Sequence, residues 1–367
     1  MTQAGLYIHI PFCRSRCSYC DFATGLYESG LAERYVRALL EEISSASVAA
    51  ARVDTVYFGG GTPSLLTATQ LDRILLALRE NFNVDPASEI TLEINPGSVT
   101  LEKLHDVREL GINRASFGAQ TFDDRELAKL GRSHTAADAR RTFHDLRTAG
   151  FDNVSFDLIA GLPGQTLAGW QQNIDEALAL QPEHLSFYLL EIHSGTPLAQ
   201  HIQRGLQPEP DEDLAAVMYE RMLERASAAG YEHYEISNLC RPGFQSRHNT
   251  KYWTGAPYFG FGCSAHSYDG SMQRWSNHRD VLEYVRLVEQ GSSPISEEQV
   301  LTESDVRAES LFLGLRLMRG VNRDLCKQHE TDVERFREAG LLELDGDYIR
   351  LTRNGALLSN EVFSAFV

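Results

Sequence analysis

Three cysteines near the start of the chain stand at spacing C-x3-C-x2-C, as Cys13, Cys17 and Cys20 in Tyr7-Ile8-His9-Ile10-Pro11-Phe12-Cys13-Arg14-Ser15-Arg16-Cys17-Ser18-Tyr19-Cys20. Three thiolates from one loop can hold three corners of a cubane iron–sulfur cluster and leave the fourth iron without a cysteine. A cluster built only for electron transfer ordinarily takes four thiolates, so the incomplete set points to an exchangeable group on the last iron. Structural zinc is the competing reading. Zinc takes four closed ligands, as a rule from two separated pairs; here His9 or Asp21 would have to complete the set, and no second pair follows. A disulfide framework fits poorly, because Cys240, Cys263 and Cys326 are scattered through the sequence.

Other polar residues recur where a ligand would need them. Gly59-Gly60-Gly61-Thr62-Pro63 follows a strand-like run directly. Consecutive glycines let a backbone approach a ligand and offer it bare N–H groups, where a simple reversal needs only one or two. The G-x-G-x-x-G spacing and opening helix of a dinucleotide fingerprint are absent. Glu93 closes the run Thr91-Leu92-Glu93, Gln120 closes Ser116-Phe117-Gly118-Ala119-Gln120, and Asp157 lies in Phe156-Asp157-Leu158-Ile159. Each alone reads as a polar strand cap. Three in succession at equivalent strand ends suit a zwitterionic, hydroxyl-rich nucleoside ligand. Arg132 could pair with a ligand carboxylate, and Tyr7 and Tyr19, flanking the cysteine loop, could pack near its ring.

These residues need a frame that gathers them. The predicted strands are Leu6–Ile10, Thr55–Phe58, Glu89–Ile94, Asn113–Phe117, Asn153–Ile159 and His184–Leu190. Amphipathic stretches alternate with them at Leu31–Ser44, Thr69–Asn81, Leu101–Leu110, Ala136–Ala149 and Ala168–Leu180. Alternation of strand and helix argues for a parallel sheet with crossover helices, whose functional residues cluster at strand C-terminal ends. Six strands fall short of a closed eight-stranded barrel.

Gln207-Pro208-Glu209-Pro210-Asp211 reads as a linker into a helix, Glu212–Ala229, and an aromatic- and glycine-rich region follows to about Arg279. The last part shows two helical patterns and a strand-like run, Tyr348–Thr352, after Asp345-Gly346. The organisation expected is an α/β core over residues 1–206, an extension over 207–295, and a small α+β, winged-helix-like module over 296–367.

With 367 residues, 43% of them hydrophobic, the chain can bury a sizeable core. A net charge of −17 argues against a nucleic-acid partner held through phosphates. Met1-Thr2-Gln3-Ala4 runs into the first strand without the charged and apolar regions of a signal peptide, and no apolar stretch is long enough to span a bilayer. Six cysteines, three in one loop, fit a reducing cytoplasm.

The cysteine spacing resembles the signature of radical S-adenosylmethionine enzymes. The resemblance implies a partial (β/α)6 barrel, with Cys13, Cys17 and Cys20 on a [4Fe-4S] cluster. It implies S-adenosylmethionine bound by Tyr7, Tyr19, Gly60, Gly61, Thr62, Glu93, Gln120, Arg132 and Asp157. Tyr-Ile-His-Ile-Pro-Phe-Cys, Gly-Gly-Gly-Thr-Pro, Ser-Phe-Gly-Ala-Gln and Asp-Leu-Ile-Ala-Gly-Leu-Pro resemble the branch containing oxygen-independent coproporphyrinogen III dehydrogenase. Two departures count against that activity. Phe22 stands where the dehydrogenase has a fourth cysteine, and only twelve residues precede Cys13.

His248-Asn249-Thr250-Lys251-Tyr252-Trp253 matches instead the H-N-x-x-Y-W string of the sister family, the radical S-adenosylmethionine heme chaperones. That resemblance implies heme as a further ligand, with His248 on its iron and Tyr252, Trp253, Tyr258, Phe259 and Phe261 against the macrocycle. Taken by itself, a lone histidine more often satisfies a local hydrogen bond beneath an aromatic core. His266 is a second candidate ligand, and Cys263 a candidate thiolate ligand or attachment point; Cys240 and Cys326 read as small buried residues. The family further implies a heme-acceptor protein of respiratory type and no more than transient membrane contact. The alternatives are the dehydrogenase itself and, more remotely, a methyl- or radical-transfer enzyme.

Overall fold

A computed structural model describes residues 3–46 and 52–366. Six parallel strands form its centre: β1 (Ala4–Ile10), β2 (Arg52–Gly60), β3 (Asn83–Ile94), β4 (Arg114–Gln120), β5 (Val154–Ala160) and β6 (His184–Leu189). Between them run α1 (Ser29–Ser45), α2 (Ala68–Asn81), α3 (Leu101–Glu109), the short α4 (Asp124–Lys129), α5 (Ala136–Thr148) and α6 (Leu167–Leu180).

Local sequence explains four of these helices. In α2, Thr67 and Gln70 form a reciprocal capping box, and Leu71, Ile74, Leu75 and Leu78 recur at helical spacing on the buried side. Thr100, Thr135 and Thr166 cap α3, α5 and α6 in the same position.

The strands alternate, apart from Ile159 on the polar face and a register shift between Val53 and Thr55. Leu6, Ile8, Val56, Phe58, Leu92, Phe117, Phe156, Leu158 and Leu185 pack in the main apolar core with the helices. The residues of opposite parity are polar: Tyr7 and His9, Tyr57, Thr91 and Glu93, Arg114 and Ser116, Ser155 and Asp157, His184 and Ser186. Parallel strands covered on both faces usually read as unbroken apolar runs. Here one face is polar, as a sheet curved around a ligand cavity requires.

The sheet is larger than six strands. After α7 (Pro197–Gln203) and α8 (Glu212–Ala228), β7 (Glu232–Glu235) and β8 (Asn238–Cys240) form an antiparallel extension beside β6. Then comes α9 (Arg247–Trp253), followed by β9 (Tyr258–Phe261), which pairs parallel with β1 as a seventh parallel strand. Its alternation is masked by the run Tyr-Phe-Gly-Phe, and the six-strand expectation missed it. Beyond it lie β10 (His266–Tyr268) and β11 (Gln273–Asn277), then α10 (Val281–Glu289) and the outermost strand β12 (Ile295–Val300). The order β12-β11-β10-β9-β1-β2-β3-β4-β5-β6-β8-β7 is linear, so the barrel stays open.

A second, smaller apolar core lies in the C-terminal part, from Leu311 to Phe366. It joins α11 (Glu303–Gly314) and α12 (Glu330–Glu338) to a three-stranded antiparallel sheet of β13 (Val321–Asn322), β14 (Leu342–Asp345) and β15 (Tyr348–Leu351). Among the described residues, no helix is long and apolar enough to cross a membrane.

Candidate functional site

A cavity of about 600 Å³ opens at the C-terminal ends of the core strands. Cys13, Cys17 and Cys20 line it, as do Tyr7, Tyr19, Gly60, Gly61, Thr62, Glu93, Gln120, Arg132 and Asp157. Twelve sequence-predicted residues, from positions 7 to 157, are thus brought to one wall. His248 is not among them.

The cysteine loop is tied down from three sides. Gly61 and Thr62 donate N–H bonds to the carbonyls of Ile10 and Phe12, each at 2.8 Å. Ser18 N–H donates to the Leu130 carbonyl at 2.9 Å. His9 Nε2 bonds the Ala23 carbonyl at 2.9 Å, which fixes Nε2 as the protonated nitrogen and leaves Nδ1 to accept from the Tyr7 hydroxyl at 3.1 Å. Burial pushes the His9 pKa down to about 4. With both ring nitrogens engaged, His9 is spoken for, and a zinc set completed by it has no support in this geometry.

All six cysteines are free thiols. Two loop sulfurs already receive donors: Thr62 Oγ1 is 3.6 Å from Cys13 Sγ, and Arg132 Nη1 is 3.4 Å from Cys17 Sγ. At Cys13, burial outweighs the Thr62 donor and raises the thiol's pKa.

The glycine triplet works differently from the expectation. Gly60 has φ +109°, and a Cβ there would sit 2.5 Å from the His9 ring; one on Gly61 would lie 2.8 Å from the Phe12 carbonyl oxygen. The glycines therefore admit the cysteine loop and its anchor. Nor are their amides bare, since Gly60 N–H donates to Glu93 Oε2 at 3.2 Å and those of Gly61 and Thr62 serve β1 and the loop. What the turn offers a ligand is close approach.

Glu93 is held by that amide and by the Tyr57 hydroxyl, 2.8 Å from Oε1. Burial dominates over both donors and raises its pKa to about 7, with Asp157 adding repulsion. Asp157, opposite Gly118 on β4 and Ser186 on β6, is likewise raised by burial. Gln120 takes a left-handed φ of 65°, uncommon for a residue with a side chain. Gly118, lacking a Cβ, leaves the space that the Gln120 amide fills. Arg132 Nη2 donates to Asn95 Oδ1 at 2.8 Å and to the Gly118 carbonyl at 2.7 Å. Its terminal nitrogens are thus committed to protein atoms rather than free for a ligand carboxylate. Tyr19 rests on the small apolar cluster Leu130, Ile159 and Leu162.

Two buried atoms of this wall lack partners, Gln120 Oε1 and Arg132 Nε. Buried polar atoms are ordinarily satisfied, so these await a polar ligand. Three free thiols, two buried acids and two unsatisfied hydrogen-bonding atoms around one cavity form a donor set that fits a three-cysteine cluster with a polar ligand beside it. Sequence reasoning missed Tyr57, Asn95 and Tyr188. Tyr57 was detectable by parity, lying two residues before Gly59 on the same face as Tyr7.

His248 lies at the opposite end of the strands. Helix α9 crosses beneath β1, β2 and β3, where Lys251 Nζ reaches the Gln3 carbonyl at 2.9 Å and Asp54 Oδ1 at 2.6 Å, and His248 N–H donates to Glu89. The imidazole is 1% exposed. Its Nδ1 meets Thr55 Oγ1 and its Nε2 the Tyr252 hydroxyl, each at 2.9 Å. Burial, with Lys251 and Arg114 nearby, drives its pKa down to about 3. In this arrangement neither nitrogen faces an iron. Trp253 is covered by the Arg316 guanidinium, 4.3 Å from its ring centre, and Phe259 and Phe261 are buried in the main core. Cys263 is buried with its thiol pushed up to about 12, and Cys240 and Cys326 are buried as expected. Of the residues expected against a macrocycle, Tyr252, Trp253 and Tyr258 line a cavity, together with His266.

Comparison with known proteins agrees with this architecture. The Radical SAM superfamily model matches residues 7–177, and the HemN C-terminal domain model matches residues 301–358. The heme chaperone HemW of Bacillus subtilis (strain 168) is 37% identical, with 98% of each chain covered. That of Lactococcus lactis is 36% identical over 98% of this chain and 96% of its own, and that of Synechocystis sp. 42% identical over 86% and 78%. The solved structure of coproporphyrinogen III oxidase (HemN) from Escherichia coli superposes with a TM-score of 0.86 at 23% identity, covering 100% of this chain and 90% of that one, a likeness of fold. With three thiols, a polar-lined α/β barrel and whole-length kinship to these relatives, the chain belongs to the radical SAM superfamily and, within it, to the family of the HemW heme chaperones.

Proposed function

We propose that this protein is a cytoplasmic heme chaperone that holds a [4Fe-4S] cluster, S-adenosylmethionine and heme, and passes heme to an acceptor protein, of respiratory type. The observation that carries the reading is the kinship with HemW proteins over 98% of this chain and 96–98% of two relatives.

In this reading Cys13, Cys17 and Cys20 ligate the cluster from a loop that His9, Ser18 and Thr62 hold at the mouth of the barrel. The cluster, when bound, supplies a site for the methionine amine and carboxylate and an electron source beside the sulfonium. Tyr7, Tyr19, Gly60, Gly61, Thr62, Glu93, Gln120, Arg132 and Asp157 surround S-adenosylmethionine. Glu93, ionised only in part near neutral pH, accepts hydrogen bonds from the ligand, and Gln120 Oε1 and Arg132 Nε take the bonds now missing. Arg132 positions Asn95 and the Gly118 carbonyl. His248 ligates heme iron only in a conformation in which the Tyr252 hydroxyl has left Nε2. The dehydrogenase alternative draws on a fold likeness at 23% identity, which carries no activity.

The test is anaerobic reconstitution of the full chain, followed by heme titration, transfer to an apo-acceptor and a coproporphyrinogen III assay. Saturable heme binding with transfer and no porphyrinogen turnover is expected. Turnover without heme binding would replace this reading with the dehydrogenase.

A further inference from the structure

Two cavities of about 330 and 320 Å³ adjoin along β9 and β10, on the face that carries Tyr7 and His9, and three residues line both: Tyr252, Tyr258 and His266. His266 is exposed on β10, whereas His248 is sealed beneath the barrel. We propose that His266 is the residue that takes heme iron from solvent, with the macrocycle against Tyr258 and a propionate on Arg279. This rests on the heme-chaperone reading above and names the ligand site within it.

The chemistry of the groove suits that guest. Tyr252 and Tyr258 meet edge to face with centroids 4.7 Å apart, presenting a fixed aromatic wall. Phe22, 66% exposed, stands at the other side of the first cavity. Arg279 also lines it and is only loosely held: its side chain is 63% exposed, it donates to the Asp21 carbonyl, and the Asp21 carboxylate is 3.7 Å away. Arg274, by contrast, is locked on Glu309 through two bonds of 2.8 Å and is not free for a propionate. Partial burial and Arg274 together lower the proton affinity of His266.

The experiment titrates hemin into the anaerobically reconstituted full chain and compares wild type, His266→Ala, His248→Ala and Arg279→Ala. His266→Ala is expected to keep its iron and sulfide content, shift the Soret band and weaken binding at least about tenfold, with free imidazole restoring the wild-type band. Arg279→Ala should weaken binding without moving the band. An unchanged Soret band and affinity in His266→Ala overturns the proposal while leaving the chaperone reading intact. Absence of saturable hemin binding by wild type overturns both.

Discussion

The ring of Tyr57 lies over that of His248, with centroids 5.2 Å apart and 28° between the planes. The hydroxyl of the same tyrosine donates to Glu93 inside the cavity. The histidine at the floor of the barrel thus supports the carboxylate at its mouth through a single aromatic ring.

His248→Ala is therefore expected to act on the cavity above. It empties a buried site and strips a partner from Thr55 and from Tyr252, at a cost of about 2–4 kcal/mol. Denaturant unfolding should show that loss, and S-adenosylmethionine binding by the reconstituted variant should weaken as Tyr57 loosens. Unchanged stability and unchanged S-adenosylmethionine affinity would remove the supporting role.

Replacing Cys13, Cys17 or Cys20 with Ala leaves two thiolates, too few to hold three irons. Iron and sulfide content after reconstitution should collapse in each, while Cys240→Ala and Cys326→Ala retain both. Full content in Cys20→Ala would refute the cluster assignment.

Gly60→Ala puts a Cβ into the His9 ring at a φ that side chains rarely adopt. His9 must shift, releasing Ala23 and the cysteine loop. The expected result is slower, incomplete cluster assembly and a stability loss of about 2 kcal/mol or more. Iron content and a melting curve measure the two effects.

Glu93 titrates near pH 7 in the fold against an ordinary value of 4.5. The folded state then binds more protons between those values, so its contribution to stability falls as pH rises from about 4.5 through 7. The stability difference between wild type and Glu93→Gln should accordingly grow more unfavourable to wild type across that window and level off above it. Tyr57→Phe removes a bond that favours the ionised form and should move the levelling-off to higher pH. A difference flat from pH 5 to 8 would place the Glu93 pKa outside the window.

The six central strands were legible because their apolar residues recur at every second position, and the helices because their apolar residues recur at spacings of three and four. Of the twelve cavity residues, Glu93, Gln120 and Asp157 were legible because strand ends in a parallel sheet converge, Cys13, Cys17 and Cys20 from their spacing, and the rest from neighbouring motifs and the family resemblance. The seventh strand was not, since Tyr258–Phe261 is too short and too uniformly apolar to display a period. The destination of His248 was also hidden. Its string gives the residue types, but its position depends on Thr55 and Gly5, whose missing Cβ leaves room for the imidazole. The committed hydrogen bonds of Arg132 and of the glycine turn likewise depend on partners far away in sequence.

Tyr7, Asp21 and Phe22 line both the cysteine-rimmed cavity and the groove beside His266. They form a shared partition, and Tyr7 is hydrogen-bonded to the His9 ring that holds the loop. A guest that displaces the partition from one side alters the room on the other. Linkage then makes the influence mutual: filling the first chamber changes affinity in the second by the same factor that filling the second changes it in the first. On the proposed function, heme held in the groove would sense what fills the barrel.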